Sequence, residues 1–133
     1  MLSSNVACGG SADSLIGINE VVELTGISAF TIRYYDKCGF FPNLARGKRG
    51  VRSFSQDDIK QLKLVDALRR SGLSIEGIHY YVRLSKREEE SLDDRIAIIQ
   101  SQTTALEYQI AEAEESLALL RAELAGLKER KSL

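Results

Sequence analysis

The chain has 133 residues, a formal net charge of −1 at pH 7 and 44% hydrophobic residues, a composition that suits one small folded domain with an appendage. No apolar run approaches the length of a membrane span, and the N-terminus lacks the basic start and apolar core of a secretion signal. Two cysteines, Cys8 and Cys38, cannot form a zinc site and do not suggest a disulfide framework, so we expect a cytoplasmic protein.

The near-neutral total conceals an uneven distribution of charge. Residues 18–87 carry 13 Lys and Arg against 7 Asp and Glu, a net charge of +6, whereas residues 88–133 carry 5 against 11, a net charge of −6. A basic front half fits a polyanionic partner, and an acidic tail that would repel such a partner must serve another purpose. The alternative is that both halves are merely solvated surfaces.

The first elements predict a helix-turn-helix. Residues 1–17 are rich in Ser, Gly and other small residues, and we expect them to form a disordered extension. Apolar residues then recur at helical spacing from Ile18 to Leu24, and Thr25-Gly26 ends this helix because glycine accepts the left-handed conformation of a C-cap. Ser28 can cap a second helix, which ends at Gly39. Two short helices joined by a tight, glycine-containing turn are typical of this motif.

The second helix has a polar and an apolar side. Ile32 and Tyr35 can face inward, whereas Arg33, Tyr34 and Lys37 lie on the outer arcs. Side chains of these outer types could reach phosphates if the helix entered the major groove of DNA. The alternative is a small helical hairpin whose tyrosines are simply core residues.

A basic segment punctuated by glycine, from Arg46 to Arg52, predicts a β-hairpin and therefore a wing beside the helix-turn-helix. Ser55 then begins a third helix that we expect to run to about Ser71, and Ser74 caps a fourth. These two helices should pack on the first pair and close a small core. The basic side chains of the third helix lie on its exposed side, where they are solvated or touch phosphates: Lys60, Lys63, Arg69 and Arg70.

No arrangement of residues predicts catalysis. His79 is the only histidine, and a lone histidine is usually structural. The Gly-Lys-Arg-Gly segment lacks the pattern of a phosphate-binding P-loop. We therefore expect no enzymatic activity, no metal and no cofactor.

A long helix with a seven-residue apolar repeat closes the chain. Such a repeat marks the seam of a coiled coil and needs a partner helix, so we expect a homodimer over residues 91–128 and a short tail over residues 129–133. The alternative is a long helix folded against its own domain, and the flanking charges do not decide between parallel and antiparallel pairing. The seam comprises Leu92, Ile96, Ile99, Thr103, Leu106, Ile110, Ala113, Leu117, Leu120, Leu124 and Leu127.

Three segments carry a family resemblance: TIRYYDKCGFFP, RGKRGVRSFSQDDI and ALRRSGLSIEGI. Together they resemble the MerR family of transcription regulators over about residues 18–84. The resemblance implies a mainly α fold, with a winged helix-turn-helix domain and small β-hairpin wing at residues 18–87, followed by a helix that dimerises as an antiparallel coiled coil. It also implies two partners, double-stranded promoter DNA read as an inverted repeat and RNA polymerase.

The resemblance places DNA contacts on the second helix and the wing. Ala29 and Phe30 match positions that contact base edges, but Phe30 stands where a polar side chain is common and could make only apolar contact. Val51 stands where tyrosine is usual, and Lys48 and Arg49 could replace its contact electrostatically. The predicted DNA-binding set is Ala29, Phe30, the phosphate-contacting and supporting run Arg33, Tyr34 and Tyr35, Lys37, and the wing residues Arg46, Lys48, Arg49 and Arg52.

The resemblance is closest to short, thiol-dependent members that lack a separate effector domain and respond to aldehydes or nitric oxide stress. They share the wing sequence seen here as Gly50-Val51-Arg52. Their sensing cysteine aligns with Ala67, which leaves Cys38 as the candidate thiol sensor. The alternative is that Cys38 is a small residue on the core side of its helix.

Two functions remain open. The first is a dimeric, sequence-specific transcription regulator that binds an inverted-repeat promoter site and distorts the DNA. The second is a coiled-coil interaction protein with a degenerate DNA-binding domain. A salt-dependent preference for one inverted repeat would separate them, because binding through phosphates weakens steeply with salt.

Overall fold

The computed structural model describes residues 15–133, and over that range the fold is mainly α. We number its elements in chain order. They are α1 (Ile18–Thr25), α2 (Ala29–Lys37), β1 (Ala45–Arg46), β2 (Arg52–Ser53), α3 (Gln56–Arg70), α4 (Ile75–Ser85) and α5 (Leu92–Ser132), with a single 3₁₀ turn at Lys48–Gly50 between the strands.

The turn between α1 and α2 is held by backbone and side-chain bonds, as the sequence predicts. Gly26 has a left-handed φ of 75°, and its N–H donates to the carbonyl of Val22 at 2.8 Å. The hydroxyl of Ser28 accepts the N–H of Thr31 at 3.1 Å and so caps α2. The hydroxyl of Thr25 also accepts the N–H of Ile27 at 3.1 Å, which fixes the approach to that cap.

The predicted wing is a short antiparallel hairpin in which Ala45 faces Ser53 and Arg46 faces Arg52. Its tip turns through two consecutive left-handed residues, Arg49 at φ 64° and Gly50 at φ 73°. A left-handed backbone conformation costs little free energy at glycine. At Arg49 it is sterically unfavourable because the residue has a Cβ atom.

The folded module begins earlier than predicted, because Ile16 forms a β-bridge with Phe54 at the base of the wing. Each residue donates its N–H to the other's carbonyl, at 3.0 and 2.8 Å, and Ile16 packs against the core. Ile16 and Gly17 therefore belong to the domain rather than to a disordered extension. Residues 1–14 of the predicted extension, which include Cys8, lie outside the described residues.

One hydrophobic core joins the four short helices and the wing. Burying a Val, Leu, Ile or Phe side chain stabilises the fold by roughly 1.5–3 kcal/mol, so the core accounts for most of the domain's favourable folding energy. Ser55 and Asp58 form a reciprocal capping box that fixes the start of α3 beside it. The buried residues are Val21, Ile27, Ile32, Tyr35, Phe40, Phe41, Phe54, Ile59, Leu62, Val65, Leu68, Ile78 and Val82.

Helix α5 has 41 residues and is about 60 Å long at 1.5 Å per residue. Its first third packs on the domain, where Ile99 lies against the core, whereas every residue from 107 to 133 is exposed. The helix continues to Ser132, so the predicted tail is helical; Arg130 and Lys131 suit a last turn because cations are favourable there. None of the helices in the described range combines the length and apolar character needed to span a membrane.

Candidate nucleic-acid interface

The outer side of α2 presents most of the residues predicted to meet DNA. Phe30 is 81% exposed, and Arg33, Tyr34 and Lys37 are also exposed on the same helix. Together with Arg52 of the wing these side chains line a shallow groove of about 380 Å³. The groove combines an apolar ring with three cations, which is the chemistry required to meet base edges between two rows of phosphates.

A second groove lies between the start of α1 and the wing, with a volume of about 610 Å³. Arg33 and Arg52 line this groove as well as the first, so these two guanidinium groups stand between them. Arg49 and Val51 supply the wing side. Lys48 is exposed beside them, at the tip. The structure therefore brings Arg33 of α2 and the basic wing tip onto one face.

Tyr35 is a correction to the predicted contact set. Its side chain is only 2% exposed, and its hydroxyl donates a hydrogen bond of 2.9 Å to Oδ1 of Asp66 on α3. A side chain enclosed in this way cannot touch DNA. Successive helical residues are turned by about 100°, so Tyr34 is half-exposed while its neighbour is buried. Ala29, at the first position of α2, is partly buried but lies on the helix end beside Phe30.

Tyr34 is held in place from α3. The guanidinium carbon of Arg69 lies 5.5 Å from the centroid of the Tyr34 ring, within the range of a cation–π interaction. Arg70, one residue further, donates to Asp66 Oδ2 at 2.8 Å. Arg69 therefore stands at the edge of the α2 face, whereas Arg70 is engaged within α3.

Asp36 is the residue of the interface that sequence reasoning missed. It lies on α2, its side chain is 5% exposed, and its Oδ2 accepts from Nη2 of Arg46 at 2.7 Å and from Nε of Arg52 at 2.6 Å. Burial would raise the pKa of Asp36, but the hydrogen bonds from Arg52 and Arg46 and their positive charges outweigh it and hold the pKa below its ordinary value of 3.8. The ionised carboxylate thus joins both wing strands to α2. The available signal in the sequence is that Asp36 is an acidic residue between Arg33 and Lys37 on a helix predicted to meet DNA.

Cys38, the candidate thiol, is the C-cap residue of α2 and packs, partly buried, against the core. His79 meets Phe40 edge-on, with ring centroids 5.6 Å apart, which is a packing contact. Ala67 is exposed on α3. Across residues 15–133, no three or more His, Cys, Asp or Glu side chains are grouped closely enough to hold a metal ion.

The predicted coiled-coil seam divides into two parts. Ile99 and Leu106 are partly buried where α5 passes the domain, so the proximal seam is partly occupied by the chain's own core. The distal seam is open to solvent, with five large apolar side chains at least 45% exposed: Ile110, Leu117, Leu120, Leu124 and Leu127. The distal apolar stripe of the long helix is therefore not packed against the chain's own domain, and it fits a coiled coil.

A helix-turn-helix with an adjoining hairpin and a basic outer face defines a winged helix-turn-helix protein. The chain belongs to the MerR family, because the family described as "MerR HTH family regulatory protein" matches residues 17–84. It is 33% identical over 114 residues to an uncharacterized HTH-type transcriptional regulator of Haemophilus influenzae. That match covers 86% of this chain and 84% of the relative. It is also 31% identical over 84 residues to the regulator AdhR of Bacillus subtilis, covering 63% and 60% of the two chains.

Solved structures agree with this assignment. HiNmlR, a MerR family regulator lacking the sensor domain and bound to promoter DNA, superposes with a TM-score of 0.76 at 32% identity, covering 90% of this chain and 94% of that one. A MerR family transcriptional regulator from Bacillus thuringiensis gives a TM-score of 0.73 at 26% identity, covering 84% and 97%. The predicted family resemblance and the mainly α, winged fold are confirmed.

Proposed function

We propose that two copies of the chain pair through α5 into an antiparallel dimer, bind an inverted-repeat promoter site, distort its DNA and so regulate transcription by RNA polymerase in the cytoplasm. The observation that carries this proposal is the single exposed face on which α2 presents Phe30 and Arg33 beside the basic wing. In support, a relative of the same architecture is bound to promoter DNA.

Helix α2 and the wing would make different contacts with one half-site. Helix α2 has the size and polarity to lie in the major groove, with Arg33 and Lys37 directed to phosphates. Phe30, at the second position of α2, suits the methyl group of a thymine rather than a hydrogen bond to a base edge. The wing arginines would grip the backbone beside that groove, so the phosphate contacts fix the register in which Phe30 reads a base.

The second half-site requires a second copy. From residue 107 onward every residue of α5 is exposed, yet this part of the helix carries a continuous apolar stripe. Pairing two such stripes removes them from water, and antiparallel pairing would place the two DNA-binding domains at opposite ends of a stiff rod. Smooth bending of a site of 20–30 base pairs costs about 1–6 kcal/mol, so a rigid connection between the domains is needed to sustain it.

The direct test is binding to DNA. A fluorescent duplex with the inverted repeat found beside the chain's own gene, and a duplex of the same composition with the repeat scrambled, are titrated at 50 and 200 mM salt. We expect tight binding to the repeat, at least about 10³-fold weaker binding to the scrambled duplex, and a steep loss of affinity with salt. Equal affinity for both duplexes would reject the proposal in favour of a coiled-coil interaction protein.

The regulatory step needs a separate measurement. Purified RNA polymerase and the same promoter, on a template long enough for run-off transcription, report whether the dimer raises or lowers the amount of transcript. A change that requires the intact repeat is expected. A promoter whose transcription is unaffected at saturating protein would restrict the proposal to DNA binding alone.

A further inference from the structure

One carboxylate oxygen holds both strands of the wing. Arg46 of β1 and Arg52 of β2 are direct partners in the hairpin register, and both donate to Oδ2 of Asp36, at 2.7 and 2.6 Å. The carboxylate lies on the buried side of α2, with 5% of its side chain exposed. Asp36 therefore ties the hairpin to the helix at the point where the two strands face each other.

The two arginines keep capacity for a further partner. A guanidinium group has five N–H donors, and the contact with Asp36 uses Nη2 of Arg46 and Nε of Arg52. Arg46 is 45% exposed and Arg52 27% exposed, so both groups can still reach solvent. Each can bridge the carboxylate and a phosphate oxygen at the same time, which fixes the phosphate relative to α2.

A carboxylate in this place has an electrostatic cost for DNA binding. It sits within a basic face that must meet phosphates, where a negative charge weakens the attraction at every DNA sequence. Its benefit must therefore be geometric. The wing has only two residues in each strand, and the bridge between Ile16 and Phe54 joins its base to the segment before α1 rather than to α2. The contacts of Asp36 are what tie the two strands to α2 itself.

We propose that Asp36 is the positioning residue of the interface: by holding Arg46 and Arg52 it sets the angle between wing and α2, and so increases discrimination between DNA sequences at the expense of affinity for duplexes that lack the repeat. This inference rests on the proposed DNA binding. With the wing fixed, only a duplex whose phosphates suit that angle allows Phe30 to reach its base. With the wing free, the arginines follow the phosphates of any duplex.

The test compares Asp36→Asn with the wild-type protein on the inverted-repeat and scrambled duplexes. Removing the charge should tighten binding to the scrambled duplex and weaken binding to the repeat, so that the ratio of the two affinities falls about tenfold, the size of one mismatched base pair. Asp36→Glu keeps the charge and should recover part of the ratio. Asp57→Asn is the matched control, because it removes an exposed carboxylate from the start of α3 and should leave the ratio unchanged.

Two other outcomes would overturn the inference. If both duplexes bind more tightly by the same factor, Asp36 acts only through its charge. If both bind more weakly by the same factor and the melting temperature falls, Asp36 only stabilises the fold.

Hydrogen exchange without DNA separates this inference from the proposed function. The N–H of Gly47 donates to the carbonyl of Val51 at 2.7 Å within the wing, and its protection should fall in Asp36→Asn while that of α3 is retained. Unchanged protection of Gly47 would show that Asp36 does not fix the wing. If protection of Gly47 falls but the wild-type protein shows no preference between the duplexes, then Asp36 does fix the wing and the proposed sequence-specific DNA binding is wrong.

Discussion

The hydroxyl of Tyr35 donates a hydrogen bond of 2.9 Å to Oδ1 of Asp66, 31 residues further along the chain. This bond joins α2, which carries the predicted base contacts, to α3. The other oxygen of Asp66 accepts from Arg70 at 2.8 Å, so the carboxylate is itself held. Burial of the phenol first, and then the hydrogen bond and negative charge of Asp66, raise the pKa of Tyr35 to about 12.

Tyr35→Phe should therefore change stability in a pH-dependent way. At pH 7 the variant loses one hydrogen bond and should be less stable by about 1 kcal/mol. Tyr35 has a higher pKa in the folded protein than its ordinary value of 10.0, so its contribution is complete below pH 10 and is lost as the pH rises toward 12. Urea unfolding at pH 7, 10 and 11 should show the difference between the two proteins shrinking. A difference that stays constant over this range would contradict the assignment.

Substitutions of Phe30 and Arg33 should have different effects on DNA binding, one on sequence preference and the other on overall affinity. Arg33→Ala removes a cation shared by both grooves, so binding should weaken on every duplex and the salt slope should become shallower by about one phosphate contact. Phe30→Ala removes no charge and should chiefly reduce the preference for thymine at one position of each half-site, by about 1–3 kcal/mol. Binding is measured on single-substitution duplexes. An Arg33→Ala protein with unchanged affinity would show that α2 does not face the DNA.

The sequence predicts the helices of this domain well because their ends are local. Ser28 and Ser74 cap α2 and α4 by accepting an N–H three residues later, and Gly26 and Gly72 provide left-handed turns after the preceding helices, α1 and α3. Such signals lie within a few residues of the element that they determine. The same locality explains why the hairpin is predictable from its glycines and basic residues, and why the seven-residue repeat of α5 is evident without any structure.

The tertiary anchors could not be derived in the same way. Asp36 finds its partners 10 and 16 residues away, and Tyr35 finds Asp66 only once α2 and α3 are packed. Helical periodicity predicts that Tyr35 faces inward, whereas the family pattern groups it with neighbours that contact DNA. Composition describes a whole segment, so it places Ile16 in the extension and cannot identify the single residue that pairs with Phe54. These contacts depend on three-dimensional proximity, which no local pattern contains.

The distal stripe of α5 offers a matched pair of substitutions for the proposed dimer. Leu117 lies on the seam and is 45% exposed, whereas Leu119 lies well away from it and is 70% exposed. Leu117→Glu places a charge from each chain in the paired interface, where burying an unpaired carboxylate is costly, and should make the protein monomeric at micromolar concentration. Leu119→Glu adds the same charge two residues away and should leave the dimer intact. Sedimentation velocity distinguishes them, and a wild-type monomer would refute the pairing altogether.

The connection between α5 and the domain depends on the turn after α3. Ser71 is buried there, and its hydroxyl donates to the carbonyl of Leu68 at 2.6 Å and accepts from Nε2 of Gln102 at 2.7 Å. Gln109, two helical turns later, donates to the carbonyl of Ser71 at 3.3 Å. Two glutamines seven residues apart thus hold one face of α5 against a single residue, which fixes the direction in which the helix leaves the domain.

Gln102→Ala should loosen the attachment of α5 to the domain without unfolding the domain. The variant loses the hydrogen bond of 2.7 Å to the Ser71 hydroxyl and a long one of 3.5 Å to the Ser71 carbonyl. With Ser71 still bonded to Leu68, this should reduce stability by about 1 kcal/mol. Hydrogen exchange should then increase in the first third of α5 but not in α3, because only the packing between them is loosened. Gln100→Ala is the control, since Gln100 is exposed on the same helix. If the two variants exchange alike, the bonds to Ser71 do not hold the helix. If they differ, Gln102→Ala should also bend promoter DNA less, since a loosely joined rod cannot sustain a bend that costs about 1–6 kcal/mol.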